Sequence, residues 1–80
     1  MTTKEAVVHR FKEILREKRI TPNALAVNSG VTPSTVYSML DPNRKDLSII
    51  TIKKLCDGLD MSLKDFFNCR IFEELEQEIK

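Results

Sequence analysis

The sequence predicts an all-α fold of five short helices with a short extra C-terminal helix, and three observations carry that prediction. Two Thr-Pro starts, Thr21-Pro22 and Thr32-Pro33, flank Gly30 so closely that the helices they open can only be joined by a sharp corner. Apolar residues recur at helical spacing before and after that corner. Hydroxyl side chains stand where caps are needed, at Thr2, Thr21, Thr32, Ser48 and Ser62.

Residues 3–19 form the first predicted helix, because Val7, Val8, Phe11, Ile14 and Leu15 fall on one face. Thr2 and Glu5 suit a capping box at its start. Its opposite face interleaves Glu5, Glu13 and Glu17 with basic residues at spacings that allow local ion pairs. Lys18 and Arg19 suit the negative end of the helix dipole and also suit contact with phosphate, and both readings stand. His9 has no Ser, Cys or Asp arranged around it in a recognisable motif, and reads as a surface residue.

The second helix runs from Pro22 to Ser29 and the third from Pro33 to Leu40. Gly30 ends the second through a positive φ, which no Cβ resists. Ala26, four residues earlier, is small enough to let the two helices approach. In a helix-turn-helix the second member of the pair lies in the major groove, with its N-terminal residues at base edges. That assigns base contact to Pro33, Ser34, Tyr37 and Ser38, with Thr35 nearer the side. Tyr37 also fits a phenol half-buried against the next loop. The N-terminal N–H groups of the second helix, with Thr21 and Asn23 beside them, suit a phosphate, as do Asn28 and Thr32.

Asp41-Pro42-Asn43-Arg44-Lys45-Asp46 reads as a loop, since Pro and Asn form turns. Ser48 then caps a helix with an apolar stripe of Ile49, Ile52, Leu55, Cys56 and Leu59. Gly58 by itself suggests a stop. The stripe runs on to Leu59, however, which argues against a stop there. Lys53 and Lys54 are either phosphate contacts or a solvated pair. Ser62 with Asp65 reads as the capping box of a fifth helix, with Leu63, Phe66 and Phe67 towards the core. Two adjacent Phe cannot both point inward on one helix, which leaves one for a dimer contact. From Ile71 to Lys80 a further helical face gathers Ile71, Phe72, Leu75 and Ile79, and either folds over the first helix or pairs with a second subunit.

Eighty residues make one small domain. With 41% hydrophobic and 31% charged residues the chain is neither disordered nor membranous in composition. It holds no apolar run near the roughly 20 residues of a spanning helix and no signal-peptide pattern, so a cytoplasmic location is the expectation. Cys56 and Cys69 have no partners at metal-ligand spacing, so free thiols are expected and no metal. The net charge of +1 is unevenly placed: residues 1–54 carry ten Lys or Arg against five Asp or Glu, residues 55–80 three against seven. A basic half around the corner suits phosphate, although two ordinary solvated faces give the same counts.

Ala26, the Gly30-Val31-Thr32 turn and the Ser34-Thr35-Val36 run resemble the helix-turn-helix of phage-repressor and Cro-type (Xre-like) bacterial regulators. Residues Ile52 to Phe67 resemble the fourth and fifth helices of the small Gram-positive and phage members of that family, and the resemblance implies that the fourth helix ends one residue past Leu59, with the left-handed residue at Asp60, which tolerates that conformation better than most. The likeness spans about residues 6–67. It implies a five-helix lambda-repressor-like DNA-binding domain over residues 1–68, with 69–80 as an extension, usually working as a homodimer on two half-sites of double-stranded DNA. It places Asn43, Arg44 and Lys45 where family members contact the DNA backbone beyond the recognition helix. Family members usually have a glycine in this turn, and this chain does not.

A sequence-specific DNA-binding regulator, most simply a repressor, is the first function these features predict. A protein-interaction module or antitoxin-like protein that keeps the fold with weak or no DNA binding is the alternative, suggested by the near-neutral charge and a recognition helix without Arg or Gln. No nucleophile and base stand at a recognised spacing and there is no Gly-rich phosphate loop, so the sequence predicts no enzyme, cofactor or small-molecule substrate.

Overall fold

The computed structural model describes residues 1–79. Five α-helices follow one another: α1 (Thr3–Lys18), α2 (Pro22–Ser29), α3 (Pro33–Leu40), α4 (Ile49–Gly58) and α5 (Leu63–Phe67). A single 3-10 turn at Arg70–Phe72 comes last, and there is no strand among the described residues.

Each α-helix opens on a hydroxyl that accepts a backbone N–H three residues on. The pairs are Thr2 with Glu5, Thr21 with Ala24, Thr32 with Thr35, Ser48 with Thr51 and Ser62 with Asp65. The Thr2–Glu5 box is complete, because the Glu5 carboxylate accepts the Thr2 N–H at 2.8 Å. That bond holds the Glu5 carboxyl below its ordinary pKa. The box expected at Ser62 is only half made: the hydroxyl accepts from the Asp65 N–H, and the shorter Asp side chain makes no reciprocal bond. Helix α1 stops at Lys18, one residue before the predicted end, because Arg19 turns left-handed with φ 55°. Asp60 has φ 56°, as the resemblance implies.

The core takes side chains from every helix: Phe11, Leu25, Val36, Ile52, Leu55 and Phe66 are among its fully buried members. The Phe11 and Phe66 rings lie 4.5 Å apart. Helix α2 packs on both α3 and α4. The approach to α4 is so close that a Cβ at Gly58 would lie 2.0 Å from the Ser29 hydroxyl oxygen and 3.0 Å from the Ser29 nitrogen. Gly58 thus serves helix packing, and the chain reverses two residues later. Arg10 ties α1 to α5: its Nε donates to the Phe66 carbonyl at 2.8 Å and its Nη2 to the Asp65 carbonyl at 3.0 Å, while Nη1 pairs with Glu13 at 2.7 Å.

Three expectations need correction. Ile49 is 53% exposed rather than part of the buried stripe, because it is the first residue of α4 and projects past the core. The C-terminal extension is helical only at Arg70–Phe72, and residues 73–79 form no helix. Ile79 there is exposed rather than on a buried face, and Lys80 lies outside the described residues. Glu73, Glu74, Glu76 and Glu78 leave little apolar surface for a helix to bury, and the backbone bonds elsewhere: the Glu76 N–H reaches the Met1 carbonyl at 3.1 Å. The Met1 ammonium pairs with Glu76 at 3.4 Å and Thr3 donates to Glu78 at 2.9 Å, so the tail folds back on the start of α1. Phe67, for which a dimer contact was open, packs edge-on against Phe72 at 4.9 Å.

The two glycines serve different ends, and substitutions separate them. At Gly30, with φ 68° and no atom within 4 Å of where a Cβ would stand, Ala should cost about 1 kcal/mol or more through backbone strain and Asn clearly less. At Gly58, Ala should cost about 1–3 kcal/mol through overpacking against Ser29, with no relief from Asn. Chemical denaturation of the four variants checks this; equal losses for Ala and Asn at position 30 would refute the strain account. Burial, aided by Asp57, also pushes the Cys56 thiol up to about 11. A thiol reagent at pH 8 should therefore modify only the half-buried Cys69 in folded protein, with Cys56 reacting on unfolding. Because the folded state keeps the Cys56 proton longer than the unfolded chain, stability should fall as pH rises from 9 towards 11.

Candidate nucleic-acid interface

Ala26, Val27, Gly30 and Val31 close the corner between α2 and α3. The Val31 N–H bonds back to the Ala26 carbonyl at 3.1 Å and the Gly30 N–H to Val27 at 3.3 Å, the paired closure of a helix that ends in a left-handed residue. Thr32 then caps α3 at once. Its hydroxyl oxygen lies 3.0 Å from that of Ser34 and 2.9 Å from that of Thr35, so three hydroxyls gather at the start of the helix.

Helix α3 buries Val36 and Met39 and turns its other side outward. Pro33, Ser34 and Tyr37 are exposed, Tyr37 at 53%, while Thr35 and Ser38 are half-buried. Tyr37 therefore stands out from the surface instead of lying under the following loop. Ser34, Thr35 and Ser38 of α3 line a shallow groove of about 380 Å³ together with Arg44, Asp46, Ser48 and Thr51. Among the residues singled out from sequence for phosphate contact, Arg44 alone shares the groove. Lys45 lines a different cleft, about 540 Å³, with Glu76 and Glu78 of the tail. Thr21, Asn23 and Asn28 are exposed on α2, outside the groove, and Thr32 is exposed at the head of α3.

The loop between α3 and α4 makes its turn without glycine. Asp41 closes it: its carbonyl accepts the Arg44 N–H at 3.1 Å and its carboxylate accepts the Asn43 N–H at 2.9 Å. No residue of this loop has a positive φ. Asn43 is exposed at the tip of the turn. Lys53 pairs with Asp57 along α4, and both Lys53 and Lys54 are exposed.

Sequence reasoning missed four participants. Ser48, read only as a helix cap, lines the groove together with Thr51 and Asp46. Lys4 is buried, 6% exposed, and its ammonium donates to the carbonyls of Ser38 and Asp46, each at 3.2 Å. A signal was present for Lys4: it precedes Val7, Val8 and Phe11 by three, four and seven residues, in line with the apolar stripe. Among the described residues no three His, Cys, Asp or Glu side chains gather as metal ligands, and no helix is long and apolar enough to cross a membrane.

Residues 10–70 match the family model described as the Cro/C1-type helix-turn-helix (HTH) DNA-binding domain. The crystal structure of the prophage Lp1 protein 11 is similar to 94% of this chain and to 100% of its own, with a TM-score of 0.79 and 33% sequence identity. No curated protein matches the chain.

Proposed function

This chain belongs to the Cro/C1-type helix-turn-helix DNA-binding family, and from that premise we propose that it is a transcriptional repressor that binds double-stranded DNA as a homodimer. Helix α3 enters the major groove, and residues 69–80 are an extension outside the DNA-binding domain of residues 1–68. The observation that carries this reading is the groove itself: residues of the outward side of α3 and Arg44 line the same open groove. A cytoplasmic location accompanies it.

Pro33, Ser34, Thr35, Tyr37 and Ser38 meet base edges in this proposal. Arg44 meets the phosphates that flank them, with Thr21, Asn23, Asn28, Thr32, Asn43 and Lys45 supplying the outer backbone contacts. Serine and threonine hydroxyls both donate and accept, and their methyl or ring neighbours suit a thymine methyl group; none makes the bidentate contact by which Arg reads guanine. Selectivity therefore draws in part on the shape and stiffness of the duplex. Two copies meet successive major grooves about 34–36 Å apart.

Asp46 in the same groove favours a second reading, a module that binds protein through this face, since a carboxylate there opposes a phosphate. Salt titration of binding separates the two. Repressor action predicts affinity for duplex DNA that falls steeply as salt rises, and Arg44→Ala should weaken all duplexes alike while lowering the slope by about one. Ser34→Ala or Ser38→Ala should instead change which sites are selected from a randomised library. Binding that ignores salt favours the module, and identical selected sites for the serine variants and the unmodified protein would overturn the base-reading assignment.

A further inference from the structure

Lys4 is an anomaly of the core. An ammonium is costly to bury without partners, and a methionine of nearly the same length would fill the space without that cost. Its partners are backbone carbonyls rather than a carboxylate. One belongs to Ser38, in the last turn of α3, and the other to Asp46, where the following loop returns towards α4. Both lie 3.2 Å from one nitrogen, so the two carbonyls are held within twice that distance of each other. The segment between them carries Arg44.

We infer that Lys4 is a positioning residue for DNA binding: by clasping the Ser38 and Asp46 carbonyls it fixes the Arg44 loop against the recognition helix without touching DNA. The inference rests on the repressor reading above. Two restraints define where Arg44 stands. The turn closed by Asp41 sets the local path, with the Arg44 N–H on the Asp41 carbonyl at 3.1 Å, and the Lys4 clasp sets where that turn sits relative to α3. The Ser38 carbonyl also receives the Asp41 N–H at 3.3 Å, so the clasp and the turn share an anchor. Without the ammonium the Asp46 end of the loop loses its tie to α1. The Arg44 guanidinium, exposed at the end of a flexible side chain, then has no fixed base from which to meet a phosphate.

Lys4→Met keeps the length and removes the donors. Together with Arg44→Ala and the double variant, it forms a cycle read by affinity for a duplex selected by the unmodified protein and by the salt slope. Lys4→Met should bind about three- to tenfold more weakly, with a slope lower by about one, and should cause no further loss once Arg44 is alanine. A purely structural Lys4 would lower the unfolding midpoint and leave the slope unchanged. Should Lys4→Met not fold, Lys4→Gln, which keeps one amide donor, takes its place in the cycle and must show the same coupling. Losses that add independently, or an unchanged affinity and slope, overturn the inference while the repressor reading stands. Failure of the unmodified protein to bind any duplex at low salt overturns both.

Discussion

Closure of the corner at Gly30 is the constraint on which the binding face depends. Two backbone bonds, from Val31 to Ala26 and from Gly30 to Val27, use two of the last four carbonyls of α2 while Thr32 begins to satisfy the first free N–H groups of α3. Nothing between the helices is left to vary except the left-handed residue, and glycine adopts that conformation without the strain a side chain would bring. The direction of α3 follows from that one dihedral choice. Val36 and Met39 then lock its rotation by facing inward, which sends Pro33, Ser34 and Tyr37 out.

A corner directs a helix only if its other arm is held. Helix α2 is eight residues long, too short to be stable by itself, and its hold comes from α4. Gly58 makes that hold close: the missing Cβ lets the turn of α4 at Gly58 lie against Ser29, the last residue of α2 and immediate neighbour of the corner. The Ser29 hydroxyl is buried there without a hydrogen-bond partner, a cost that close packing around it must offset. The far end of α3 is fixed differently, by polar bonds from Lys4 and the Asp41 turn. Backbone geometry and packing thus determine the first end of α3, and at its other end polar bonds add to the packing of Met39.

This division explains what could be read in the sequence. Thr21-Pro22, Gly30 and Thr32-Pro33 are local signals, each complete within four residues, and the ends of α2 and α3 are where those signals put them. Asp60 was legible only with the family resemblance added: the apolar stripe passed Gly58 to Leu59, and the family's helix ending put the left-handed residue one position later. Gly58 itself misled, since its role lies in a contact with a residue 29 positions earlier that no local pattern records. Arg44 and Lys45, adjacent in sequence, read as one basic pair, yet a turn closed by Asp41 sends them to different clefts. The tail failed as a helix because its apolar spacing was real while its ties are not helical: they run from Glu76 and Glu78 to Met1 and Thr3 at the opposite terminus.

The plain chemistry of α3 follows from how the groove is furnished. Three hydroxyls already share bonds at the helix start, so a base edge that meets Ser34 or Thr35 must compete with Thr32 for the same donors. Exchange of one hydrogen bond for another yields little net free energy, typically about 1 kcal/mol. Asp46 further weakens whatever attraction Arg44 exerts on a nearby phosphate. In the proposed homodimer one subunit is then a weak reader of sequence, and discrimination accumulates elsewhere: through the spacing of two half-sites, and through the energy of bringing the duplex into register with both. Both contributions depend on rigid placement of α3 and of the Arg44 loop in the free protein. A face with strong individual contacts can tolerate a loosely held loop, whereas one built of weak contacts loses its selectivity as soon as the loop can wander, and the role proposed for the buried Lys4 ammonium answers that need.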